Sequence, residues 1–472
     1  MSYENTISGL HCVASPVAMK ITPPIVPFWK VMALALSAMQ IGPNIAIAAG
    51  YQLTYSGLGS WVAFFCAAML SMMVAIVLGR FASIYSVTAT ILSFAQRTLP
   101  RWPIAIIATC ILFGYIVGPA IAITGSTIYL ASLANSFGLA QAGSVVSECV
   151  ITVAVSLFIG ICAYRGVELS SKVSIALGVI CLPLAVGITI AAANSFGFDV
   201  RSELTTSGLT IHSLPRGVFV AMAFFAGFDC VAALASETAN PKRDVARTLK
   251  WTVGLCGSAV VIGALLQAPA LMANVNALNA GESPTKILAI AAGFPSIALM
   301  SDVVLAMTTV SGLIAWFNAA AIIVATAAND GFLPRKLGVL DAKSGTPQRA
   351  IILLTLISTV LPTIIFAWTK SAPIIASLYM SNFIVLIWLI PYGLICAAAI
   401  WGAQSSSHPF SIRVSAAIGL VMTLSTVVAQ LVFPIDHISA IVNLVGMLIV
   451  GFGTILFFRI QRKIETGNSN LT

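Results

Sequence analysis

Residues 220–250 read VAMAFFAGFDCVAALASETANPKRDVARTLK, and this stretch decides the fold. Its first half is an apolar run that predicts a membrane-spanning helix. Midway, Ala226-Gly227-Phe228-Asp229 sets a small residue, a glycine and a carboxylate where lipid would lie. A carboxylate at the bilayer centre costs about 2.5–3.5 kcal/mol on insertion scales, and glycine loosens the helix that carries it. The apolar run then resumes, stops at Glu237 and is closed in water by Asn240-Pro241-Lys242-Arg243-Asp244. A helix that accepts both liabilities at one depth is expected to be interrupted there and to hold a site.

The rest of the chain extends that reading. Of 472 residues, 59% are hydrophobic and 8% charged, where a soluble domain carries about a quarter charged residues. The net charge of +9 fits Lys and Arg held on cytoplasmic loops better than a nucleic-acid partner. The nine cysteines form no CxxC and fall mostly inside apolar runs, so they read as small buried hydrophobes, not disulfides or metal ligands. No HExxH, Walker or Ser-His-Asp arrangement occurs, and no enzyme activity, cofactor or metal is expected. The first 29 residues contain Pro16, Pro23, Pro24 and Pro27 and show no cleavable signal, so the first span is expected to direct insertion.

A span takes about 20 apolar residues. That rule predicts an all-α polytopic membrane protein of twelve transmembrane helices, near 30–51, 58–79, 103–133, 146–164, 170–193, 214–236, 249–273, 296–328, 349–368, 374–401, 411–433 and 438–459. The third and eighth are overlong and should tilt. With the N-terminus inside, 19 of the 23 Lys and Arg fall on the cytoplasmic side; Arg201, Arg216, Lys286 and Lys370 fall outside. Both termini are therefore expected to be cytoplasmic. A short interfacial helix is expected between Arg80 and Arg101, and a helix end with a glycine stop at Asn329-Asp330-Gly331.

The first span is interrupted as well, because Ile41-Gly42-Pro43-Asn44 places a proline at mid-depth. The first and sixth spans lie five helices apart. Interrupted segments at matching places in two halves point to an inverted-repeat transporter. The expected division is a tail (1–29), a first repeat (30–200), a second repeat (201–401), two further helices (402–460) and a C-terminal tail (461–472).

Three motifs carry a resemblance: IGPNI at 41–45, GFD at 227–229 followed by NPKRD at 240–244, and ANDGFLPRKLG at 328–338 followed by GTP at 345–347. In order and spacing, over about 30–460, the chain resembles the amino acid–polyamine–organocation (APC) permeases. The resemblance implies a five-plus-five inverted-repeat (LeuT-like) fold with helices 1 and 6 broken, and movement of amino acids or amines by alternating access. There are departures. Asn44 stands for a second glycine, Ser236-Glu237 for two acids, and Ala246 for a proline. The lysine that some members carry midway along the fifth span is absent from Val179-Ile180-Cys181-Leu182, which argues against proton coupling through such a lysine. Trp316, 13 residues before Asn329, resembles the cavity tryptophan of arginine/agmatine-type exchangers, and Asp229 matches their acidic sixth-span residue; Ala223 stands where their gating tryptophan would be.

From broken-helix chemistry, Gly42, Pro43, Asn44 and Ile45 are expected to bind a carboxylate at a half-helix N-terminus. Phe225, Ala226, Gly227 and Phe228 are expected to present carbonyls to an amino group. A proline kink against a close-packed neighbour is the alternative. Asp229 is either a counter-ion to a cationic substrate or a proton carrier. Trp316 is expected to close over the substrate, with Tyr115 a second gate; helix packing is the alternative for both. Glu237, Lys242, Arg243 and Asp244 form a candidate cytoplasmic latch, or a solvated loop. Asp302 is placed at an outer vestibule, or in interfacial water.

The functional expectation is a secondary active transporter of amino acids or related amines, proton-coupled or exchanging, in a bacterial inner membrane. Its partners would be a small-molecule substrate, a coupling proton and membrane lipid, with no nucleic acid, in a monomer or homodimer. One alternative is an antiporter of a cationic amino acid and its amine. Another, of a different class, is a nutrient sensor on a transporter fold.

Overall fold

The computed structural model describes residues 27–468 apart from 86–90, 140–143, 167–170, 200–202, 207–208, 233–237, 239, 342–343, 403–407 and 435. Among the described residues every regular element is helical. Twelve helices are long and apolar enough to cross a membrane: Phe28–Leu53, Gly57–Ile84, Arg101–Ser136, Val145–Tyr164, Lys172–Ser195, Ser213–Cys230, Pro241–Ala273, Pro295–Asn329, Gln348–Thr369, Pro373–Trp401, Phe410–Val432 and His437–Ile460. The chain is an integral membrane protein. In chain order these are the first to twelfth spans. The near end of the bundle is where the first begins, and the far end is opposite.

The expected spans are all found, most within three residues. The seventh begins at Pro241, eight residues before the apolar run. Pro241 holds the first helical position, where its missing N–H is no loss, so a charged turn becomes helix that hydropathy does not register. There Arg247 lies 4.8 Å over the Phe28 ring and joins the seventh span to the start of the first. The third span runs 36 residues, about 54 Å of helix against a hydrocarbon core of about 30 Å. It and the tenth bury 78% of their apolar windows and form the centre of the bundle. The seventh packs on the second, and the third on both the eighth and the tenth.

The short helix expected after the second span is Ile91–Thr98. It packs into the protein: Ile91, Leu92 and Phe94 are buried, and Arg97 sits 5.3 Å over the Tyr85 ring. The eighth span ends as expected. Gly331 takes φ +85°, its N–H bonds the Ala328 carbonyl at 3.1 Å, and Phe332 N–H bonds the Ala327 carbonyl at 2.9 Å. That is a Schellman closure, and its following residue Phe332 stacks on Phe457 of the twelfth span at 3.9 Å.

Candidate functional site

The sixth span breaks where its sequence says. Helix runs Ser213–Ala221, tightens to a 3₁₀ turn at Met222–Phe224, and restarts as a second 3₁₀ turn at Phe228–Cys230. Between them Gly227 takes φ +84°, a conformation that needs glycine. The Met222 carbonyl accepts from both Phe225 N–H (3.0 Å) and Ala226 N–H (2.9 Å), and the Phe225 carbonyl accepts from Phe228 N–H at 3.1 Å. The Phe225 carbonyl expected to be open thus has one lone pair already used.

The first span also breaks, but earlier than expected. Its helices are Phe28–Ala38 and Ile41–Ser56, and the interruption is Met39-Gln40, with Gln40 at φ +47°. Pro43 therefore opens the second helix instead of breaking the first, because a proline in the first turn removes only an N–H that has no helical partner. Asn44 N–H closes the first turn on the Gln40 carbonyl at 2.9 Å. The helix start is left with the N–H groups of Ile41 and Gly42 as its own open donors. The Asn44 amide reaches back to the Met39 carbonyl at 2.8 Å, so it bridges the break. Ile45 is already inside the helix, and its carbonyl takes Gln267 Nε2 at 2.9 Å.

Side chains around the breaks come from two walls. The first-span break faces the fifth, seventh and eighth spans. A Cβ on Gly42 would stand 2.7 Å from Cys181 Sγ, and the Gln40 amide lies against Gly312. Asn44 Nδ2 lies 4.0 Å from Cys256 Sγ. A Cβ on the neighbouring Gly257 would lie 3.7 Å from Phe225 Cε1. Consecutive residues of the seventh span thus face side chains that flank both breaks, Asn44 and Phe225.

The second wall is an aromatic group that the sequence does not signal. Tyr392 Oη donates to Asp229 Oδ1 at 3.0 Å and accepts from Gly227 N–H at 3.1 Å. Its ring lies 5.2 Å from Phe228 and 6.2 Å from Trp388. Tyr115 meets Trp388 edge-on at 6.2 Å. Asp229 is 8% exposed, and among the described residues no cation pairs with it. Trp316 is half-buried and packs against the third span at Gly118, where a Cβ would be 2.4 Å from Cζ2. Gly114 and Gly118, one turn apart, were the available signal for this indole-bearing face. Beyond the sixth-span break, Phe224 is edge-on to Tyr51 at 5.5 Å.

Of the latch residues, Glu237 lies outside the described residues, Lys242 and Arg243 are exposed, and Asp244 is buried. Among the described residues no ion pair joins the last three. Ser311 bonds Ser174 of the fifth span at 2.9 Å, joining helices. Asp302 does not face an open vestibule. It is 0% exposed, accepting from Ser132 at 2.6 Å and from Ser283. Beside it Glu282 accepts from Asn135 at 2.6 Å and pairs with Lys286. Small hydroxyls thus solvate the acid that water was expected to solvate, and they tie the third and eighth spans together at the far end. Deeper in, Tyr51 bonds Ser377, which also accepts from Thr124 at 3.0 Å.

Two comparisons bear on this geometry. Residues 27–469 match the family model described as amino acid permease. A branched-chain amino acid permease, BcaP, of Bacillus subtilis (strain 168) is 23% identical over 331 residues, covering 66% of this chain and 68% of that protein. Twelve spans, interrupted helices at the first and sixth positions and a family match over nearly the whole length agree: the chain belongs to the amino acid permease family.

Proposed function

We propose that this permease is a secondary active transporter that carries an amino acid or related amine by alternating access, driven by protons or by exchange. One observation carries the reading: both interrupted spans come against the same stretch of the seventh span, Cys256 and Gly257. In a bilayer, irregular backbone is tolerated only where protein or a cavity surrounds it, and paired breaks are where transporters hold substrate and coupling ions. The substrate carboxylate would take the N–H groups of Ile41 and Gly42, favoured by the dipole of the helix they begin. The ammonium would take the remaining lone pair of the Phe225 carbonyl and the Ala226 carbonyl. Trp316 and Tyr115 would gate access, and Asp229 would carry the coupling proton.

The far-end ties through Asp302 and Ser377 fit a state shut at that end. We assign the near end, with both termini, to the cytoplasm and the protein to a bacterial inner membrane, on the distribution of Lys and Arg. Residues 30–200 and 201–401 are assigned to the two inverted repeats. A second reading, antiport of a cationic amino acid against its amine, is favoured by one observation: Asp229 is buried with no cation beside it among the described residues. The test is uptake and counterflow of labelled amino acids and amines in proteoliposomes, with and without an imposed pH gradient. Saturable uptake of one class is expected, and arginine–agmatine exchange would select the second reading. Binding without flux would identify a sensor, and no uptake of any amino acid or amine would refute transport.

A further inference from the structure

We infer that Trp388 reads the substrate's side chain, and that the side chain it selects is neutral and carries a hydrogen-bond acceptor, a hydroxyl or a carboxamide. The inference rests on the proposed placement of the head group between the two breaks. Trp388 lies in the tenth span, which neither the motifs nor the breaks single out. Its indole fills a slot between two glycines. A Cβ on Gly227, at the sixth-span break, would be 3.7 Å from the ring, and one on Gly114 of the third span would be 3.5 Å from it. Both are ordinary contact distances, so the ring is seated without clash.

The chemistry follows from what is left unbonded. Trp388 is 4% exposed, and among the described residues its Nε1 has no hydrogen-bond partner. An indole nitrogen can only donate, and a buried donor normally has a partner. Of its two aromatic neighbours, the Tyr392 hydroxyl already donates to Asp229 and accepts from Gly227, and Tyr115, edge-on at 6.2 Å, makes no hydrogen bond to it. The open donor therefore sits on the wall formed by the third, sixth and tenth spans. The first-span break is turned to the fifth, seventh and eighth. A ligand held by its head group between the breaks would have its side chain free to turn to the wall of the third, sixth and tenth spans.

Each class of side chain can be weighed against this donor. An aliphatic side chain leaves it unmet. A cationic one offers it no acceptor. An acidic one would bring a second carboxylate to the wall that holds Asp229. A hydroxyl or carboxamide meets the donor with no added charge. A site that hydrogen-bonds a substrate group discriminates strongly against the analogue lacking it, because the buried group is then left unpaired.

The experiment compares near-isosteric pairs, threonine with valine and asparagine with leucine, by calorimetric binding to the purified full-length protein and to Trp388→Phe, which keeps an aromatic ring and removes the donor. Wild type is expected to bind threonine and asparagine at least about tenfold more tightly than their partners. In Trp388→Phe the two ratios should fall to about one in a protein that still folds, its ligand-free melting temperature lowered only by the smaller ring. Preference of wild type for valine and leucine overturns the inference, and so does an unchanged ratio in the variant. Should the variant fail to fold, the wild-type ratios alone decide. Wild type that binds and transports only other amino acids leaves the transport proposal standing and overturns this one, whereas wild type that binds no amino acid refutes both.

Discussion

Tyr392 pins the sixth-span break, and replacing it with phenylalanine isolates that role. The substitution keeps the ring, and with it the contacts to Phe228 at 5.2 Å and Trp388 at 6.2 Å. It removes one oxygen that makes two bonds, to Asp229 at 3.0 Å and from Gly227 N–H at 3.1 Å. The first involves a buried carboxyl group, and hydrogen bonds to charged groups contribute about 1.5–3 kcal/mol. The second joins neutral groups, about 0.5–1.5 kcal/mol; Gly227 is half-buried, so water can replace part of it. About 2 kcal/mol is the expected net loss. Part of that loss falls on binding, because the break is then no longer held in the geometry a ligand needs, and every 1.4 kcal/mol is a tenfold change in affinity. The assay is paired: melting temperature without ligand, and dissociation constant for the best substrate. Both should move, affinity by about three- to tenfold. A Tyr392→Phe protein with wild-type melting temperature and wild-type affinity would refute the claim that this hydroxyl shapes the site.

The neighbouring contacts are open to the same kind of test. Gly118→Ala puts a Cβ 2.4 Å from Trp316 Cζ2; overpacking of this kind costs about 1–3 kcal/mol, uptake should fall, and Trp316→Phe in the same chain should restore part of it. Asp302→Ala removes the acceptor of Ser132 and Ser283, and a destabilisation of about 2–4 kcal/mol is expected as a lowered melting temperature. Outside the spans, burial lifts the Asp330 carboxyl from its usual 3.8 to about 6. A folded-state value above the unfolded one gives stability that is full below about pH 4 and lost as pH rises through about 6. Asp330→Asn should therefore raise the melting temperature at pH 7 and leave it unchanged at pH 4, and equal shifts at both would count against that origin.

The span pattern was legible in the sequence because lipid imposes one dominant rule, a run of apolar residues long enough to cross. The rule weakens where the chain leaves lipid. The first two turns of the seventh span, Pro241 to Thr248, are charged and fall outside any hydropathy run, although Asn240-Pro241 is a recognisable helix start. The sixth-span break was legible because Gly227 and Asp229 are both misfits in hydrocarbon. The first-span break lies before the proline because Pro43, a helix breaker by composition, stands in the first turn of a helix. Trp388 and Tyr392 carry no such signal. They lie in an unbroken apolar run of the tenth span, and nothing in one dimension separates an aromatic residue beside a break from one that packs a helix. Only their contacts with Gly227 and Asp229, some 160 residues away, mark them. Asp302 was misplaced because its partners Ser132 and Ser283 come from other elements, so its burial could not be read from its neighbours in the chain.

The central claim is that the two breaks jointly hold the head group of an amino acid. A cryo-electron microscopy map of the protein with its best substrate tests it most directly. Ligand density is predicted with its carboxylate at the Ile41 and Gly42 N–H groups and its ammonium at the Phe225 and Ala226 carbonyls. Density for the same substrate that touches only one break, or neither, would contradict the claim.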